Sequence, residues 1–190
     1  MTTSRQHPPV APDPRPHLGE PLALDLLNTR WMSADGPRDL LTDVAGLRTW
    51  LSENDLAAEP DEPTLHALVT ARDAIATTVR ALLEQRPPDT AALNAVLDQG
   101  RIRRTLTESG PVGEPDVPAA EWLPGWLAAD NLLELIATAP GRIRQCAHPA
   151  CVLYFFDTSK NGTRRWHSMT TCGNRAKATR HYARKTEQAD

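Results

Sequence analysis

Apolar positions recur at helical spacing over most of this chain and lose it in the last third. In Pro21–Trp31, PLALDLLNTRW, the residues Leu22, Leu26 and Thr29 share a helical face, with Leu24 and Leu27 close to it. Pro21 suits a first turn, so a short helix is predicted there. The polar stretch SADGPRD at 33–39 reads as a loop, because Asp-Gly-Pro is turn chemistry. Thr42 is placed as the N-cap of a second helix whose apolar side is Val44, Leu47, Trp50 and Leu51. The strongest periodicity spans Thr64–Gln85, where Leu65, Leu68, Arg72, Ile75, Val79 and Leu82 step by three and four. That spacing makes one buried stripe on a long helix, which Pro87-Pro88 ends. Asp89 or Thr90 opens a shorter helix through Ala92, Leu93, Val96 and Leu97, stopping near Gly100.

Between Arg101 and Pro118 the pattern changes. RIRRTLTE alternates apolar and polar residues as an edge strand does, and GPVGEPDVP turns the chain, so a small hairpin is predicted. Helical spacing returns over Gly125–Thr138 with Trp126, Leu127, Leu132, Leu133, Leu135 and Ile136, until Pro140-Gly141 stops it. The predicted organisation is a proline-rich disordered arm (1–17), a helical domain (18–140) and a separate C-terminal unit (141–190). No internal repeat and no phosphate loop is present.

One residue of the long stripe is out of character. Arg72 occupies an apolar position, so either its stem snorkels or its guanidinium is buried and needs a carboxylate such as Asp25. With Asn28, Asp25 and Arg72 could line a polar pocket in the helical body that admits a small-molecule effector. An ion pair that fixes helix packing is the stronger of the two expectations.

Composition fits a globular chain, 40% hydrophobic and 24% charged. No run approaches the ~18 apolar residues of a membrane span, and the N-terminus has no apolar core of the secretion-signal kind. No membrane partner is expected. The net charge of −3 conceals a strong asymmetry. Residues 142–185 hold ten Lys/Arg and one acid, Asp157, whereas residues 1–141 carry a net −10. A basic appendage on an acidic body is the signature of nucleic-acid binding; a basic surface docked on the acidic body is the competing expectation.

The candidate chemistry lies in that basic third. It contains all three cysteines, as Cys146-x4-Cys151 followed after fifteen residues by His167-x4-Cys172. Thiol and imidazole ligands in pairs, with a loop between the pairs, suit tetrahedral zinc; calcium and magnesium would need oxygen ligands that are missing here. An odd number of cysteines in a chain of this length argues against a disulfide scaffold, and metal-bound thiols fit a reducing cytoplasm. His148 is the alternative to His167, although it lies inside the first pair and would force a tight fold-back. VLYFFD at 152–157 reads as a strand, Lys160–Thr163 as an Asn-Gly turn, and Arg164–His167 as the returning strand. Cys172 would then open a helix. A unit this small cannot fold on its apolar surface alone, so zinc must supply much of its stability.

On a helical wheel at ~100° per residue, Cys172, Arg175, Ala176 and Thr179 share the metal-facing side. Lys177, Arg180 and Arg184 point the other way. Arg175 is placed to bond knuckle carbonyls or Asp157. Asp157, Asn174 and Arg175 are therefore expected to support the finger. Lys177, Arg180 and Arg184, joined by Arg164 and Arg165, are expected to meet phosphates.

The run CxxxxC, FxDTSxNxxRRW and HSMxxCGNRxKxxRH over residues 142–185 resembles the CGNR zinc-finger family, whose name is the tetrapeptide found here at 172–175. A weaker likeness, LALDLLNTR at 22–30, is similar to the start of the helical ABATE domain that precedes such fingers. The family carries a cysteine where this chain has His167, and imidazole replaces thiolate well at a structural zinc. The resemblance implies a transcription regulator.

The fold expected is mainly α: a multihelical N-terminal domain followed by a small treble-clef or ribbon-like zinc finger of knuckle, β-hairpin and helix. The leading function is a zinc-binding regulator whose finger binds nucleic acid, DNA ahead of RNA. An RNA-binding module, a zinc enzyme with an open position near His167, and a protein-interaction adaptor remain as alternatives. An enzyme is the less favoured class, because only Asp157 and His148 stand near the ligands as bases. Oligomerisation is compatible with all four.

Overall fold

The computed structural model describes residues 12–174. Over the described residues the fold is mainly α, with three small antiparallel hairpins, the last of them beside the Cys/His cluster. Helices α1 (Leu22–Leu27), α2 (Val44–Glu53), α3 (Glu62–Leu83), α4 (Ala91–Leu97) and α5 (Leu123–Thr138) form the body. The strands are β1 (Arg30–Ser33), β2 (Gly36–Asp39), β3 (Arg101–Thr107), β4 (Gly110–Asp116), β5 (Ile143–Gln145) and β6 (Tyr154–Phe156), paired in sequence order.

The long stripe of α3 is the spine of the core. Leu68, Ile75 and Val79 are fully buried, together with Leu24, Leu26, Leu47, Trp50 and Leu132 from the helices around it. Its start lies two residues earlier than the pattern predicts. Asp61 caps it by accepting from Thr64 N at 2.9 Å, and Pro63 occupies the first turn. Gln85, in the left-handed region at φ 54°, ends it ahead of Pro87. Helix α2 is capped by Asp43, which accepts from Gly46 N at 2.8 Å, and not by Thr42. Either residue type can cap, and the backbone at Asp43 is the one in extended conformation.

Two local predictions change. Helix α1 stops at Leu27 and does not reach Trp31. Asn28 and Thr29 use their side chains on other partners, and Arg30–Asp39 forms the hairpin β1–β2. Its two-residue turn is Ala34-Asp35, and Gly36, at φ 114°, begins β2 directly after it. The hairpin β3–β4 forms as predicted over 101–116, and every residue of β3 is exposed. Ion pairs Arg101–Asp116 and Arg103–Glu114 bind its registered neighbours.

Residues 12–17 belong to the segment assigned to a disordered arm; the rest of that arm lies outside the described residues. Within 12–17, Asp13, Arg15 and His17 are held by polar contacts, whereas Pro12, Pro14 and Pro16 are exposed. Arg15 is 5% exposed, and its guanidinium donates to Asp25 Oδ1 at 2.7 Å and to the Asp25 carbonyl at 3.1 Å. Proline richness predicts a lack of helix correctly here, but it carries no information about an ion pair ten residues away.

At the other end, Ile143 of β5 is 2% exposed within the same core as α1, α3 and α5, and Tyr154 and Phe156 pack against that core. The C-terminal unit is therefore seated on the body through its hairpin.

Candidate metal centre

The strand β5 runs directly into Cys146. The ladder extends one step as Cys146 N donates to Leu153 O at 2.9 Å, and between them the chain makes the knuckle 146–151. Cys151 N donates to His148 O at 2.9 Å, which tightens the knuckle and turns both thiols to one side. The finger hairpin is thus β5–β6, flanking the knuckle. The sequence pattern instead pairs 152–157 with 164–167, and Arg164–His167 forms no strand. Asp157 ends the apolar run and organises the following loop. It accepts from Ser159 N at 2.9 Å, Ser159 Oγ at 2.6 Å and Arg164 N at 2.9 Å. Burial alone would raise its pKa, but these donors and the Arg142 charge outweigh burial and hold the carboxyl below its usual range.

That loop delivers His167 to the knuckle, and Ala147 N fixes it by donating to Arg165 O at 2.8 Å. Ser168 then caps a π-helical turn, Met169–Gly173, which carries Cys172 inward. The predicted helix opening at Cys172 starts here as this wider turn, and its course from Arg175 onward lies outside the described residues.

The ligand atoms of Cys146, Cys151, His167 and Cys172 all lie within 4.8 Å of one another. Cys146, His167 and Cys172 are buried at 6%, 5% and 4% exposure. The Cys151 Sγ to His167 Nδ1 distance is 3.5 Å. A tetrahedral ion bonded to sulfur at ~2.3 Å and nitrogen at ~2.0 Å gives an edge of about 3.5 Å. The other ring nitrogen, Nε2, stands 3.4 Å from Thr171 Oγ1, the type of outer contact that fixes a ligating imidazole. Burial first, and then the neighbouring sulfurs of Cys146 and Cys172, push the Cys151 thiol up to about 12. Packed thiols resist becoming thiolates together, and a dication among them reverses the sign of that interaction. His148 stays outside the cluster, its Nδ1 accepting from Ala150 N at 3.2 Å.

The residues expected to bind phosphate separate. Arg165 is exposed, whereas Arg164 is half-buried. The Arg164 guanidinium lies 4.5 Å from the centre of the Phe155 ring, and it donates to the carbonyls of Trp166 and His167. Arg164 is therefore a clamp within the finger. Asn174 donates to Thr170 O at 3.3 Å and so braces the turn that holds Cys172. Arg175, Lys177, Arg180 and Arg184 lie outside the described residues.

The three residues expected to share a body pocket do not meet in one. Arg72 pairs with Asp39, at 2.6 and 2.9 Å, and also donates to Thr29 Oγ1 at 2.8 Å. Asp25 is taken by Arg15, by Trp50 Nε1 at 2.9 Å and by Asn54 Nδ2 at 3.2 Å. Asn28, fully buried, turns to the finger. Its Oδ1 accepts from Tyr154 N at 2.8 Å, and its Nδ2 donates to Tyr154 O at 3.0 Å. Its amide thus acts as a one-residue strand on the free edge of β6. Glu20 continues that edge by accepting from Phe156 N at 2.7 Å. His17 Nε2 donates to the other oxygen of the same Glu20 carboxylate at 2.8 Å, and its ring stands 4.9 Å from that of His167. Sequence reasoning misses Arg15, His17 and Glu20, because their partners lie up to 150 residues away and nothing in the local pattern marks them.

The arrangement defines a class: a helical body that carries a Cys3His zinc finger on its surface. Residues 142–185 match the family described as CGNR zinc finger, and residues 20–140 match the ABATE family, described as "putative stress-induced transcription regulator". The chain belongs to the ABATE family and ends in a CGNR zinc finger. Comparison with curated proteins gives no match. Zinc is the metal of this chain, as the donor set and the finger family agree. Among the described residues, no helix is long and apolar enough to cross a membrane.

Proposed function

We propose that this protein regulates transcription by binding DNA with its finger, while one zinc held by Cys146, Cys151, His167 and Cys172 keeps the finger folded. The observation that carries this reading is the one-sided charge of the finger surface. Its single acid among the described residues, Asp157, is 1% exposed and fully engaged by the following loop. Lys160 and Arg165 are exposed, and the sequence of 175–185, which lies outside the described residues, contributes Lys177, Arg180, Arg184 and Lys185 and no acid. A surface of cations without carboxylates attracts a phosphate backbone; the acidic body does not. Four protein donors fill a tetrahedron, which supports a structural ion in preference to a catalytic one. The fold family supports the regulatory side of the reading.

The test is a salt titration of the full zinc-loaded chain with a labelled duplex and a matched RNA. Each phosphate contact should steepen log K against log salt by roughly 0.9. Arg180→Ala should weaken binding to all sequences alike and lower that slope by about one unit. If Arg180→Ala shifts the melting curve but leaves the isotherm unchanged, the basic segment packs on the body and the reading fails. Stronger binding to the RNA would move the function to that class.

A further inference from the structure

The body and the finger meet along a cleft of about 400 Å³ that neither unit forms alone. One wall is α3, where Arg72, Ala76 and Arg80 stand at i, i+4 and i+8 and so form one stripe. Ala76 is small, and its place between two arginines opens the space. The facing wall is the finger hairpin, where Gln145 and Tyr154 are registered cross-strand neighbours. Leu27 and Val152 supply apolar surface at the sides. Glu84 is also in the lining, but it pairs with Arg86; Arg30, likewise, pairs with Asp39 and Asp73.

The polar groups left over are what give the cleft its chemistry. Arg80 has no ion pair among the described residues. Arg72, 2% exposed, spends both terminal nitrogens on Asp39 and Thr29, and its buried Nε donor has no partner among the described residues. The Tyr154 hydroxyl and the Gln145 amide make no hydrogen bond with the described residues. A native fold seldom leaves a buried donor unmatched without a reason. Tyr154 is also held in place: Asn28 grips its backbone on both sides, so its ring stands at a fixed distance from α3.

We infer that this cleft is a binding site for a small organic acid, with the anion held by Arg80, Tyr154 and Gln145 and the apolar part lodged over Ala76 between Leu27 and Val152. The charge state fits. Burial pushes the Tyr154 phenol up and the Arg80 charge opposes that, so the hydroxyl is a neutral donor beside a cation. A guanidinium, a phenol and an amide converging on an apolar slot select a carboxylate with a compact hydrophobic body over a bare ion. The ligand would touch α3 and the finger hairpin together, so its binding strengthens the seating of the finger on the body. The inference does not depend on the finger binding DNA.

Calorimetric titration of the full zinc-loaded chain with benzoate, and separately with inorganic phosphate and the neutral isostere benzamide, tests it. Benzoate should bind, benzamide should not, and phosphate should bind at least tenfold more weakly than benzoate. Arg80→Gln should weaken benzoate at least tenfold, and Tyr154→Phe by severalfold. Ala76→Leu, which fills the slot without altering charge, should abolish binding while the melting temperature in the absence of ligand stays near wild type. Absence of benzoate binding in the wild type overturns the inference, as does binding indifferent to both Arg80→Gln and Ala76→Leu. Phosphate binding as well as benzoate would remove the organic-acid assignment. If no small anion binds and Arg80→Gln lowers only duplex affinity, the cleft is a contact for nucleic-acid phosphate, and the inference is again overturned. Loss of duplex binding with benzoate binding intact would fail the DNA reading alone.

Discussion

Asn28 is the residue on which the seating of the finger can be tested most directly. It is fully buried, and its two amide hydrogen bonds to Tyr154 are the link from α1 to the edge of β6. Asn28→Ala removes both and leaves the Tyr154 N–H and C=O facing a small void. A buried backbone group without a partner costs about 1–3 kcal/mol, so the pair costs roughly 2–6 kcal/mol if the void stays dry. One water entering would restore part of this and bring the loss towards about 1–2 kcal/mol. Asn28→Asp provides the contrast. Its carboxylate can still accept from Tyr154 N, but its second oxygen would then face the Tyr154 carbonyl, acceptor against acceptor. Burial and that carbonyl raise the pKa of the new carboxyl in the folded state. A raised carboxyl pKa makes the charged form the unfavourable one, so this variant should lose stability as pH rises above about 4. Urea unfolding of zinc-loaded protein gives the free energies, and amide exchange at Tyr154 reports the local opening. Both variants should still bind one zinc, because the ligands lie elsewhere. A loss below about 0.5 kcal/mol in Asn28→Ala, with the Tyr154 amide exchanging as slowly as in wild type, would refute the strand-like role.

Three further outcomes follow from the same geometry. His167→Cys should keep stoichiometric zinc, whereas His167→Ala should weaken it on the order of 100-fold, about a quarter of the binding energy of a four-ligand site, as read by competition with a chromogenic chelator. Asp39→Asn breaks the pair with the buried Arg72 and should cost about 3 kcal/mol. Burial would raise the Asp39 pKa, but the Arg72 hydrogen bonds and charge outweigh it and leave the pKa lowered. Its contribution is thus present above the unfolded carboxyl pKa and lost as pH falls through the folded one, so wild type and Asp39→Asn should converge in acid. Gly46→Ala would place a methyl 1.6 Å from the Leu40 carbonyl oxygen, so α2 must move off the chain before it. The expected cost is about 3 kcal/mol, and a thermal melt within a degree or two of wild type would contradict the close approach.

Much of this molecule is written in short-range pattern. The stripe of α3 from Leu65 to Val79 and the alternation of RIRRTLTE each depend on spacing within a few residues, and both elements form where that spacing puts them. The donor set is legible for the same reason: Cys146, Cys151, His167 and Cys172 are scarce, chemically committed side chains in two close pairs, and zinc accepts few other arrangements. What sequence cannot express is which distant group answers a buried polar one. Arg72 on an apolar stripe announces a need for a carboxylate, but Asp25 and Asp39 satisfy that need equally on paper. Arg15, hidden in a proline-rich segment, had already claimed Asp25. The finger hairpin shows the same limit. Strand-like composition in VLYFFD does not choose between two flanking partners, and pairing went to Ile143–Gln145, which is held in the body core by Ile143. Local pattern is set by the few dihedral angles of neighbouring residues, which composition biases directly. The choice among equivalent partners is made by burial, because only in the packed chain does an unmatched charge or backbone group carry a cost large enough to select one.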